Sequence, residues 1–122
     1  MKYLCLVYLE ESAFDAMSER EKEQLTNDCL DSDEDLRRRG YYITSAALQP
    51  VAAATTVRMR NGRISATDGP FAETKEHLGG IVLIEARDLN DAIRAAASSP
   101  MARIGCIEVR PVMELQRSDL GA

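Results

Sequence analysis

The sequence predicts an α+β domain: an antiparallel sheet with two helices on one face and an extra β-hairpin. Three observations carry this. Apolar strand-like runs and helix-period segments alternate in the order β-α-β-(hairpin)-β-α-β. An Asn61-Gly62 pair, the strongest short hairpin signal, stands between two alternating runs. The chain has 122 residues, 45% of them apolar and 29% charged, which suits one domain with a real core. That domain is expected over residues 1–113, with 114–122 as a polar tail.

The first strand runs from Lys2 to Leu9, nearly all apolar, and reads as central or buried on both faces. Glu10 to Phe14 reads as a connector. Ser18 followed by Glu21 is a capping-box pattern: the hydroxyl takes one orphan amide and the carboxylate reaches back to another. The helix it opens extends to Arg39, where Gly40 supplies a left-handed stop and three arginines oppose the negative end of the dipole. Its apolar stripe is narrow, with Leu25, Cys29 and Leu36 on it and Leu30 at the edge. Tyr41 to Leu48 is a second strand. Ala53–Met59 and Arg63–Thr67 are the hairpin arms, with Arg58, Arg60 and Arg63 on one side and Val57, Met59 and Ile64 on the other. Gly79 to Ala86 is another strand. Asp88 caps a second helix from Leu89 to Ser98, ended by Pro100, with Leu89, Ala92, Ile93, Ala96 and Ala97 expected inside. Ile104 to Met113 is the last strand. Helices on one side leave the other sheet face apolar and uncovered, which predicts a homodimer paired sheet to sheet.

Charge and composition exclude several classes. A net charge of −5 argues against a nucleic-acid binder. No apolar run approaches the ~18 residues of a membrane span, and the start is too short for a signal peptide, so a cytoplasmic protein is expected. Cys5, Cys29 and Cys106 are widely spaced and read as buried thiols of a reducing compartment. The acidic run Asp28–Asp35 reads as a solvated helix face paired to the arginines that follow, not as a metal site. With one histidine and no glycine-rich phosphate loop, no metal and no cofactor is expected.

The chemistry-bearing stretch is Thr67–Gly80, which holds the only histidine. Asp68-Gly69-Pro70 predicts a sharp turn: Asp bonds downstream backbone, Gly tolerates positive φ and Pro fixes its own. Phe71 is expected to fold back as an apolar anchor. Glu73 and His77 are four apart, so on a helical turn they share a face, and a carboxylate on one imidazole nitrogen would raise its basicity. Asp68 or His77 is the candidate to move a proton, with Glu73 orienting His77. Lys75 or Arg58 would hold an anionic group, and Phe71 would contact the substrate.

The run Asp68–Glu76 with Leu78-Gly79-Gly80 resembles the DGPF-domain branch of the YCII-related family. Met1–Leu4, Ala47–Pro50, Ala54–Arg58 and Ile107–Met113 agree, so the resemblance covers about Met1 to Met113. It implies a ferredoxin-like α+β domain that pairs as a dimeric α/β barrel. It also implies, from YCII-type proteins, an acid–base pair of a first-helix histidine and an aspartate; the first helix here has no histidine, so that pair does not carry over. The expected function is a small-molecule cleft bordered by the Asp68–His77 loop and the concave sheet face, used for cofactor-free acid–base chemistry. The rival implied by the branch is a non-catalytic binding or regulatory module with a protein partner in sigma-factor signalling.

Overall fold

The computed structural model describes residues 1–117, so the end of the expected polar tail, residues 118–122, lies outside the described residues. Along the chain come β1 (Lys2–Leu9), α1 (Glu11–Asp15), α2 (Glu19–Arg38), β2 (Tyr42–Ala47), a 3-10 turn (Val51–Ala53), β3 (Thr55–Arg60) and β4 (Arg63–Asp68). These are followed by β5 (His77–Glu85), α3 (Leu89–Ala97), α4 (Met101–Ile104) and β6 (Cys106–Pro111). The main sheet has the order β2-β5-β1-β6, with every neighbouring pair antiparallel. β3 and β4 form a separate two-stranded sheet. The α+β class is as expected, and the strand order is compatible with a ferredoxin-like plan into which β3–β4 is inserted.

Strand period places the core. Tyr3, Cys5 and Val7 of β1 are buried, while Leu4, Leu6 and Tyr8 between them are only half-buried. In register with the buried set stand Ile84 and Val82 of β5 and Val109 and Ile107 of β6. Leu36 of α2 and Ala92 and Ala95 of α3 close over this face, so both long helices lie on it. The alanines let α3 sit close to the sheet. The opposite face, with Leu4, Leu6, Ile81 and Leu83, carries no helix. β1 is therefore central, but within the protomer it is fully buried on one face only.

The helix signals act as read. Ser18 Oγ accepts from the Glu21 amide at 3.1 Å and Glu21 Oε1 accepts from the Ser18 amide at 3.2 Å. Gly40, at φ 83°, ends the helix. Asn61 and Gly62, both at positive φ, make the hairpin turn.

Four expectations need correction. Glu11–Asp15 is a short helix, not a plain connector. Pro100 both ends α3 and opens α4, because its fixed φ of −56° suits a first helical turn; β6 therefore begins at Cys106, not Ile104. The inner face of α3 is rotated, with Asp91, Ala92 and Ala95 buried and Leu89 and Ile93 nearly half exposed. The Asp91 carboxylate explains this: it accepts from Tyr41 Oη at 2.7 Å and from the Arg87 amide at 2.9 Å, which turns that side inward. Finally, Phe71 does not fold back; it is 82% exposed.

Candidate functional site

The helix-covered face is not filled along its whole length. Near the ends of β1 and β2 and the start of β5 the sheet presents Ser45, Ala47, Gly79 and Gly80 to the helices, residues too small to reach the helix above. A cavity of about 510 Å³ opens there, within the range of small-molecule sites. Leu25, Cys29 and Leu30 of α2 roof it, Phe14 of α1 closes one side, and Leu9 and Met101 complete the apolar lining. This is why only Leu36 of the α2 stripe is buried: Leu25 and Cys29 face the void. This room lies between sheet and helix, away from the Asp68–His77 loop that the sequence predicts as the border of a cleft on the concave sheet face.

The charged groups in the lining are all acidic, Glu11, Asp15 and Asp33, and stand with Thr26, Ser45, Gln49 and Ser99. Glu11 is committed, accepting from the Val51 amide at 2.7 Å. Asp33 is only partly committed. Its Oδ2 accepts from Ser45 Oγ at 3.1 Å, and Ser45 Oγ lies 2.7 Å from Tyr42 Oη. Among the described residues its Oδ1 has no hydrogen-bond partner. Tyr42, Ser45 and Asp33 thus form a short hydrogen-bonded chain from the edge strand to the lining. Cys29 beside it is pushed up in pKa by burial, and further by Asp33 and Asp28, so its thiol stays protonated at neutral pH.

The loop residues singled out in the sequence lie elsewhere, and none of the six lines the cavity. Asp68 ends β4, exposed, and its carboxylate has no hydrogen-bond partner among the described residues. The turn after it is fixed by backbone instead: Gly69, at φ 96°, donates its amide to Ala54 O at 2.7 Å, and Thr56 Oγ1 donates to Gly69 O at 2.8 Å. Glu73 and His77 are not brought together, because 71–76 forms bends and no helical turn. His77 Nε2 donates to Thr74 O at 3.0 Å, which leaves Nδ1 buried without a partner. Lys75 pairs with Glu10 at 3.3 Å. Glu76 accepts from Cys106 Sγ at 3.6 Å, and that thiol is raised in pKa by burial and then by Glu76. Arg58 stands on the exposed hairpin, on the face opposite Asp68.

Sequence reasoning missed Asp33 and Ser45 as site residues. Asp33 was hidden inside an acidic run, where its neighbours are solvated and ion-paired. The usable signal was the coincidence of two small-residue stretches, Ser45-Ala46-Ala47 and Gly79-Gly80, on strands that pair. Among the described residues no cluster of three metal-ligating side chains occurs, and no helix is long and apolar enough to cross a membrane.

The model of the YCII-related domain matches residues 1–116. An uncharacterised protein of Rhizobium meliloti is 37% identical over 114 residues, covering 92% of this chain and 92% of that protein.

Proposed function

The chain belongs to the YCII-related family, and on that premise we propose that it binds a small, largely apolar organic molecule in the cavity beneath α2. The molecule carries a hydroxyl or amine that donates to Asp33. The observation that carries this reading is the cavity itself, about 510 Å³ of mainly apolar lining in which the Asp33 carboxylate, held by Ser45, keeps one oxygen without a hydrogen-bond partner among the described residues. Any turnover is cofactor-free: Asp33, oriented by Ser45, accepts a proton from the bound molecule. Covalent chemistry through Cys29 is disfavoured, because a thiol raised in pKa is a poor nucleophile. The Asp68–Glu76 motif supports membership of the DGPF branch.

We also propose that a second copy covers the helix-free sheet face, pairing as a dimeric α/β barrel. Leu4, Leu6, Ile81 and Leu83 carry no helix over them on this side, and two-fold pairing supplies the cover.

A panel of hydroxylated and amino aromatic compounds, screened by thermal shift and confirmed by calorimetry, tests the cavity. Leu25→Trp pushes an indole into the room beneath α2 and should weaken binding with the fold retained. Asp33→Asn should weaken donors selectively, by roughly tenfold for one charge-assisted hydrogen bond. Binding that survives both substitutions would place the ligand elsewhere and sink the reading.

A further inference from the structure

We propose that the β3–β4 hairpin is an arm that grips a second copy of the chain. This rests on the dimer proposed above and adds a surface to it. The register Val57↔Ala66 and Met59↔Ile64 puts four apolar side chains on one face of the ribbon. Val57 is 66%, Met59 57% and Ile64 73% exposed. The hairpin packs substantially on no other element among the described residues, and its base is tied by the Gly69–Ala54 and Thr56–Gly69 bonds. A lone two-stranded hairpin is marginal in water, so an apolar face left bare along it needs cover from outside the protomer.

Charge on the other face of the ribbon points to the partner. The opposite face carries Arg58, Arg60 and Arg63, none of which forms an ion pair among the described residues. Residues 55–68 hold these three arginines against the single carboxylate of Asp68, a net +2; with a total of −5, the rest of the chain stands at −7. Another copy therefore offers the arm an acidic body, next to the sheet face that the two-fold pairing covers. On that body Glu23 and Asp31 lie on the exposed side of α2 without a basic partner among the described residues. A two-fold axis satisfies both arms at once. The same −7 body repels phosphate, which disfavours a nucleic acid as the occupant.

Sedimentation of the full chain across a concentration series tests this, with a photo-crosslinking residue at Met59 in a parallel sample. Wild type should be a dimer. Ile64→Asp and the pair Arg58→Glu with Arg63→Glu should each raise the dimer dissociation constant at least tenfold, with circular dichroism unchanged. The Met59 probe should join two copies. A monomeric wild type overturns both the dimer and the arm. A dimer indifferent to these substitutions, with crosslinks only inside one protomer, overturns the arm and leaves the sheet-paired dimer standing. Capture of DNA by a wild-type monomer through the arginines also overturns it.

Discussion

Lys75 Nζ lies 3.3 Å from Glu10 Oε1, and this pair joins the loop between β4 and β5 to the residue that caps α1. α1 walls the cavity through Glu11, Phe14 and Asp15. Its other ties are equally light: Glu11 to the Val51 amide, and Lys22 over the Phe14 ring at 5.3 Å. The short helix buries no residue of its own, so it is held by these contacts more than by packing. The loop thereby reaches the cavity without lining it.

That arrangement predicts that Lys75 acts on the rates of ligand exchange more than on stability. With its side chain 83% exposed and Glu10 at 36%, the pair contributes at most ~1 kcal/mol. Lys75→Ala should leave the thermal midpoint within ~3 °C of wild type. It should speed both entry and release of a cavity ligand in stopped-flow, and added salt should mimic it in wild type. Unchanged rates would show that α1 does not gate the cavity.

The three thiols should react slowly and in a fixed order. Burial pushes Cys5 up to about 11, and Cys29 and Cys106 are raised by burial first and by neighbouring carboxylates second. Since the thiolate is the reactive form, native alkylation at pH 7.5 should run below the rate of a free thiol at all three. Mass spectrometry should find Cys106, the exposed one, modified first and Cys5 last. A cavity ligand should protect Cys29 alone. Protection of Cys106 instead would move the site to the β6 edge of the sheet, beside Glu76.

Much of the fold was legible because its signals are local. Ser18 with Glu21, Gly40, Asn61-Gly62 and Asp88 each act through hydrogen bonds or φ values that a few residues decide, and each does its expected work. The inner face of α3 was not legible, because Asp91 is drawn inward by Tyr41, fifty positions away, against its own polarity. The cavity was not legible for a related reason. A cluster of charged residue types after a sharp turn looks like chemistry, yet here Thr74 Oγ1, one Glu76 oxygen and His77 Nε2 are bonded inside the loop or to Cys106. A cavity is made by what side chains fail to fill, and only the pairing of two small-residue strands could have announced it.

Asp68 separates a structural role from a functional one. Its turn is held by Gly69 and Thr56, not by its own carboxylate. Asp68→Ala should therefore change stability by no more than ~0.5 kcal/mol, as for a surface site. Thr56→Ala removes a side-chain bond to Gly69 O and should cost about 1 kcal/mol. Chemical denaturation of both variants measures this. A large loss in Asp68→Ala alone would mean that the carboxylate anchors the turn after all.

At the start of α2, both halves of the capping box are in place on the exposed surface. Ser18→Ala leaves the Glu21 amide without its partner and should cost ~1 kcal/mol in denaturant unfolding. Because α2 roofs the cavity, the same change should also weaken ligand binding modestly by loosening the wall near Leu25. Loss of stability with ligand affinity untouched would show that the roof does not depend on its first turn.

Asp91 should give the domain an acid-sensitive joint. Its carboxylate accepts from the Arg87 amide first, then from Tyr41 Oη and the Arg87 guanidinium, and these bonds to the charged form hold its pKa well below the usual carboxylate range despite burial. A depressed folded-state pKa means that the unfolded chain takes up the proton first, near an ordinary value of about 3.9. The stabilisation is therefore complete above that value and is lost as pH falls below it towards the folded-state pKa. Thermal midpoints of wild type and Asp91→Asn, followed from pH 7 down to about pH 2.5, read this out. The variant keeps the shape and one acceptor for Tyr41 but loses the charge, so it should melt several degrees lower at neutral pH, with the gap closing below about pH 4. Parallel curves down to the lowest pH would mean that the pairing of α3 with the start of β2 does not depend on the ionised carboxylate.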